Sequence, residues 1–129
     1  MAVQQQQQQN HEQLGKVIDA LLDAITGFNA TITYISIHGI DNYADYAVGI
    51  DLPNSKLLIG YTINDNKARY RLCLDDNWID MDNSLLILVS KVWNRITNNP
   101  KFYNMVELYV KAKQLSNIEL LTVSCQIPL

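Results

Sequence analysis

From Thr31 to Leu74 apolar and polar residues alternate in four successive runs separated by turn-forming residues, and at Ser84 the apolar period lengthens to about three and a half. A period of two sends neighbouring side chains to opposite faces of a strand, whereas the longer period marks one side of a helix. The change of period predicts an α+β protein in which a run of strands precedes a run of helices.

An apolar stripe of Leu14, Val17, Ile18, Leu21, Leu22 and Ile25 opposes Glu12, Lys16, Asp19 and Asp23 and predicts a first helix, capped by Asn10 with Gln13 and stopped by Gly27. The first strand, from about Ala30 to His38, puts Ile32 and Tyr34 on one face and Ile35 and Ile37 on the other. That change of parity requires a bulge or burial on both faces. The second strand turns Ala44, Tyr46, Val48, Ile50 and Leu52 inward. The third does so with Leu57, Ile59, Tyr61 and Ile63, and the fourth with Tyr70, Leu72 and Leu74, leaving Arg69, Arg71, Cys73 and Asp75 outside. Connections as short as Pro53–Ser55 and Asn64–Lys67 suit antiparallel neighbours and hence a meander.

A second helix is expected from about Ser84 to Asn98, with Leu85, Leu88, Val89, Val92, Trp93 and Ile96 facing the core and Asp82, Asn83 or Ser84 as cap. Asn99 and Pro100 open a third, whose inner stripe is Phe102, Met105, Val106, Tyr109 and Ala112, widened by Leu108 and Leu115 and ended at Asn117. Ile118 to Leu129 reads as a fifth strand, with Leu121, Val123, Cys125 and Ile127 on one face and Pro128 at a sheet edge. The expected fold is an antiparallel four- to five-stranded meander with three helices mainly on one face, in the order α-β-β-β-β-α-α-β. Residues 1–9 form a polar arm containing the tract Gln4–Gln9, and 10–129 a single domain. RWD domains and acidic secretion chaperones share parts of this element order. The similarity rests on order alone, because the proline-rich turn that follows an RWD meander has no counterpart at Asp75–Asn83.

Composition narrows the function classes. A chain of 129 residues with 48% hydrophobic residues can build a core without staples, and a net charge of −3 disfavours a phosphate backbone as partner. The two cysteines, Cys73 and Cys125, lie in apolar runs and suit a reducing compartment, although one disulfide between them stays open. No apolar run is long enough to span a membrane, and the N-terminus is glutamine-rich where a signal peptide would be apolar. The reading is a soluble, cytoplasmic protein.

No motif specifies a reaction, a cofactor or a metal. The acidic segment Asp75–Asn83 lacks the glycine and glutamate of a calcium loop, and its aspartates suit the start of a helix. A Cys-His-Asp arrangement of Cys73, His38 and Asp41 or Asp45 is conceivable, but spacing locates no base beside the thiol, so no catalytic residue is assigned. His11, beside the glutamine tract, reads as solvated. Lys67, Arg69 and Arg71 form a basic stripe on the fourth strand that with Tyr43, Asp41 and His38 makes a candidate site for a small anionic ligand; pairing with Asp45 or Asp51 is the ordinary alternative. Trp78 and Met81, an apolar pair among charges, together with Tyr103, Ile127 and Leu129, form a candidate protein interface unless Trp78 folds back over the core. The leading expectation is a non-catalytic interaction module, an adaptor, chaperone-like binder or inhibitor, that acts as a homo-oligomer. A binding protein or enzyme for an anionic small molecule on the Arg69/Arg71 face is the alternative.

Overall fold

The computed structural model describes the backbone of residues 2–129 and the side chains of residues 13–129. Its elements are α1 (Ala2–Thr26), β1 (Thr31–Ile40), β2 (Tyr43–Asp51), β3 (Lys56–Asn64), β4 (Lys67–Leu74), β5 (Asn77–Trp78), α2 (Asn83–Thr97), α3 (Pro100–Ser116) and β6 (Leu120–Pro128). One antiparallel sheet has the spatial order β5-β4-β3-β2-β1-β6, so the α+β class and the three helices hold. The sheet has six strands rather than four to five. The extra one, β5, follows a two-residue turn at Asp75 and Asp76, whose φ values of 48° and 66° are those a tight hairpin needs. A strand of two residues cannot display a period.

Two local expectations shift. Asn10 lies inside α1, which starts at Ala2 and includes the backbone of the glutamine tract; the side chains of that tract and of His11 lie outside the described residues. In β1 the register slips between Ile32 and Tyr34 against both neighbours: Thr33 is the extra residue against β2, whereas against β6 the extra residue lies on β6, where Cys125 and Gln126 oppose Thr33. The bulge turns Ile32, Ile35 and Ile37 all into the core and Tyr34 out.

The core joins Ile35 and Ile37 of β1, Val48 and Ile50 of β2, Leu57 and Ile59 of β3, and Leu72 and Leu74 of β4 to helix residues on the same side. Those are Val17, Ala20, Leu21 and Ala24 of α1, the α2 stripe Leu85, Val89, Val92, Trp93 and Ile96, and Phe102 and Tyr109 of α3. In α1 the alanines take the buried places that the sequence reading gave to Leu14 and Leu22, which are exposed; small residues let α1 lie close to α2. The caps are as their residue types dictate. The Asp82 carboxylate accepts from Leu85 N at 2.9 Å, Asn99 Oδ1 accepts from Lys101 N at 3.0 Å, and Asn117 ends α3 in the left-handed region. Leu108 and Leu115, expected to widen the α3 stripe, are exposed, because α3 buries only Phe102 and Tyr109.

Candidate interaction surfaces

Among the described residues, no helix rests on the outward face of the sheet. There the register aligns Arg69, Thr62, Asp45 and His38 in one row and Arg71, Gly60, Ala47 and Ser36 in the next. Arg71 lies flat over Gly60: a Cβ at residue 60 would sit 2.8 Å from Arg71 Nη2. The guanidinium thereby reaches β2, where Nη2 donates to Asp45 Oδ1 at 2.7 Å, and the same oxygen accepts from Thr62 Oγ1 at 2.6 Å. Arg71 Cζ also stands 5.8 Å from the centre of the Trp78 ring, a cation–π distance.

This network changes the reading of the candidate ligand residues. Arg71 is engaged within the sheet. Arg69 and His38 share a row but stand three strands apart, about 14 Å at ordinary strand spacing. His38 meets Tyr43 edge-on at 5.7 Å between ring centres, and Asp41 sits in the β1–β2 turn with φ 51°. The structure therefore spreads Arg69, Arg71, Tyr43, Asp41 and His38 across the sheet without gathering them around one cavity. The Cys-His-Asp idea fails for the same reason, since Cys73 is on β4 and His38 on β1. Burial, followed by the charges of Asp76 and Asp75, holds the Cys73 thiol above its ordinary value, the opposite of nucleophile activation. Both cysteines are free, and four strand spacings between β4 and β6, about 19 Å, are too many for a disulfide.

Two of the four aspartates before α2 have structural partners. Asp75 Oδ1 accepts from Lys56 N at 2.8 Å, and Asp82 caps α2. Among the described residues no three His, Cys, Asp or Glu side chains are grouped to hold a metal ion.

The sheet ends in two edges of different character. At β4, the turn Asp65–Asn66 has both φ values positive, 50° and 68°, so Asn64 and Lys67 are the closely bonded pair that closes the hairpin. Alternation from that pair makes Arg69, Arg71 and Cys73 bond to β3 and aims the backbone N–H and C=O groups of Ala68, Tyr70 and Leu72 away from it. Leu72 O duly accepts from Ile79 N at 2.9 Å. The chain then leaves the edge through Asp80 and Met81 to start α2, and no strand of the sheet pairs with Ala68 or Tyr70 on that side. Along this stretch runs a groove of about 740 Å³, lined by Ala68 to Leu72, Trp78 to Met81 and Leu86. Trp78 stands 62% exposed at its rim rather than folding over the core, because the β5 register places it beside Cys73 on the outward face.

The opposite edge is β6, which pairs only with β1 and carries no charged residue from Leu120 to Leu129. Gly39 N donates to Glu119 O at 3.0 Å, which fixes the alternation so that Thr122 and Ser124 aim their N–H groups outward. The helix in contact with β6, α3, exposes Leu108 and Leu115, the latter 87% accessible, and Leu120 is exposed on β6. Two expected interface residues move inward: Ile127 is buried in the core, and Leu129 packs against it while its N–H donates to Ala30 O at 2.9 Å. Tyr103 stays exposed over a cleft of about 240 Å³ lined by Tyr46, Tyr61, Trp93, Phe102 and Val106. Sequence reasoning missed this aromatic cluster, in which Trp93 stacks on Tyr61 at 5.0 Å; four of its rings come from separate elements and no local pattern links them. No family model, curated protein or solved structure matches the chain.

Proposed function

We propose that this chain is a non-catalytic protein-interaction module that works as a homodimer joined through β6. The observation that carries the reading is the nine-residue edge with outward backbone groups, no charge and exposed leucines beside it. Edge strands of monomeric proteins are ordinarily guarded by lysine, proline or a bulge; β6 has no lysine, and its Pro128 and the extra residue at Cys125–Gln126 both fall in its C-terminal half, leaving Leu120 to Ser124 regular. Antiparallel pairing of β6 with its own copy sets no like charges opposite each other. It also brings Leu108 and Leu115 of the two α3 helices to the same interface.

The area suffices. A nine-residue strand is about 30 Å long, and sheet edge plus helix layer is about 20 Å high, giving on the order of 600 Å² per protomer or about 1,200 Å² in total, the lower end of the range for specific interfaces. The symmetry axis falls near Ser124, the middle residue of the strand, so Ser124→Lys places two ammonium groups face to face while leaving an exposed side chain of the monomer exposed. Light scattering after size exclusion is expected to give twice the 14.7 kDa chain mass for the parent and the single-chain mass for Ser124→Lys. A parent that runs as a monomer at micromolar concentration overturns the proposal.

A further inference from the structure

The other edge carries a different kind of partner. We infer that the groove along β4 is a binding site for an extended segment of another protein, which adds to the sheet beside Ala68 and Tyr70 and presents acidic and apolar side chains alternately. The inference does not depend on the dimer, since β4 and β6 lie at opposite ends of the sheet.

Three observations carry it. The outward N–H and C=O groups of Ala68 and Tyr70 form a template whose spacing is that of a strand, and they line the floor of the 740 Å³ groove. The two sides of that floor differ in chemistry. On the helix side stand Tyr70, Ile79, Met81 and Leu86, all half-buried, which suit every second side chain of an incoming strand if those are apolar. On the outward side Lys67 and Arg69 project from the strand, and the sole ion pair among the described residues, Arg71–Asp45, uses neither. The intervening side chains of the segment are therefore acidic, with Asp80 at the β5 end of the groove confining them to the Lys67–Arg69 end.

A second copy of this chain is the poorer occupant. Self-pairing of β4 sets the cations Lys67, Arg69 and Arg71 against their own copies, and β6 offers no carboxylate to meet them.

The test is titration of the full chain into a fluorescently labelled synthetic peptide of alternating glutamate and valine, read by anisotropy, with amide hydrogen exchange of the chain measured in parallel. Saturable binding is expected, with exchange at Ala68 and Tyr70 slowed. Ala68→Pro deletes a donor that points away from β3, so the sheet keeps its ladder while peptide affinity falls by roughly tenfold or more. Arg69→Glu is expected to weaken the glutamate peptide roughly tenfold and to confer binding of a lysine–valine peptide; this variant decides the matter if Ala68→Pro does not fold. Equal binding of the two peptides by the parent, full binding of a glutamate–valine peptide N-methylated along its backbone, or no saturable binding would each overturn the inference. So would conversion of a dimeric parent to a monomer by Ala68→Pro, because the edge would then be the self-association surface. Ser124→Lys is expected to leave peptide binding intact, which keeps failure of the dimer separate from failure of this site.

Discussion

Asp45 serves two donors through one oxygen, the Thr62 hydroxyl and the Arg71 guanidinium, and it does so on the outer face, where the Arg71 and Asp45 side chains are 37% and 24% accessible. At that exposure solvent and salt weaken the ion pair, so a double-mutant cycle of Asp45→Ala and Arg71→Ala is expected to return a coupling of roughly 0.5–1 kcal/mol that shrinks at high salt. Asp45→Ala alone costs more, about 1–2 kcal/mol by urea denaturation, because the Thr62 hydroxyl and the Arg71 guanidinium both lose their acceptor. A coupling of zero would leave Arg71 a packing role over Gly60 and none in charge. Gly27 is a second residue whose role is defined by geometry. It ends α1 at φ 74°, and a Cβ there would collide with the Arg95 guanidinium and lie 2.5 Å from the Leu129 carbonyl oxygen. Gly27→Ala is expected to lower stability by about 2 kcal/mol or more, since the left-handed backbone costs about 1–2 kcal/mol before the clash is counted; an unchanged urea midpoint would show that the chain end simply moves aside.

Among the helices, α3 buries the fewest of the described residues. Its burial rests on Phe102 and Tyr109, with the Tyr109 hydroxyl donating to Glu119 O at 3.1 Å and Lys113 Nζ donating to Gly39 O at 2.9 Å. Phe102→Ala removes a ring that packs edge-on against Trp93, at an expected cost of about 3 kcal/mol. Hydrogen exchange is expected to place the loss in α3, whose amides open below the free energy of β1 to β3, and loss of protection spread evenly over the sheet would refute that ordering. The same helix shows where sequence patterning stops. The period-two runs gave the faces of β2, β3 and β4 residue by residue, and the α2 stripe was equally legible, because burial on one side imposes the pattern directly; its cap was narrowed only to Asp82, Asn83 or Ser84, of which Asp82 serves. Leu108 and Leu115 fit a helical stripe just as well, yet nothing lies over them. A period states which residues share a face and is silent on whether that face is covered. The bulge was legible only as a change of parity between Tyr34 and Ile35, whereas the register slips between Ile32 and Tyr34, because bulge position depends on cross-strand register. Of the candidate sites the sequence offered residue types and not their neighbours: Asp45 was one of two possible partners for the basic stripe, while the contact of Arg71 with Trp78 and the open β4 edge are products of topology.

At the scale of the whole molecule, the sheet has a cationic edge and an uncharged edge, and the partner segment and second copy proposed for them both require the sheet to stay folded over the aromatic cluster. That dependence has a pH signature. Burial raises the Tyr46 and Tyr70 hydroxyls above the ordinary tyrosine value, reinforced at Tyr46 by Tyr109 and Tyr61 and at Tyr70 by Tyr61. Burial likewise raises the thiols of Cys73, where Asp76 and Asp75 add to it, and Cys125. All four groups are neutral when protonated, so below their ordinary values folded and unfolded chains hold the same protons and stability from these groups does not vary with pH. Above about 8.5 for cysteine and about 10 for tyrosine, the unfolded chain releases protons that the folded chain retains, and the folded state loses stability as pH rises toward the raised values. The urea midpoint is therefore expected to be insensitive to these groups between pH 7 and 8 and to fall through pH 9 to 11. Tyr46→Phe should flatten the fall above pH 10 while leaving the part that begins near pH 8.5, because the thiols remain. A midpoint that stays level to pH 11 would mean that the cleft under Tyr103 admits water freely enough to solvate a phenolate, and the aromatic cluster would then be a wet surface feature rather than the support of the sheet.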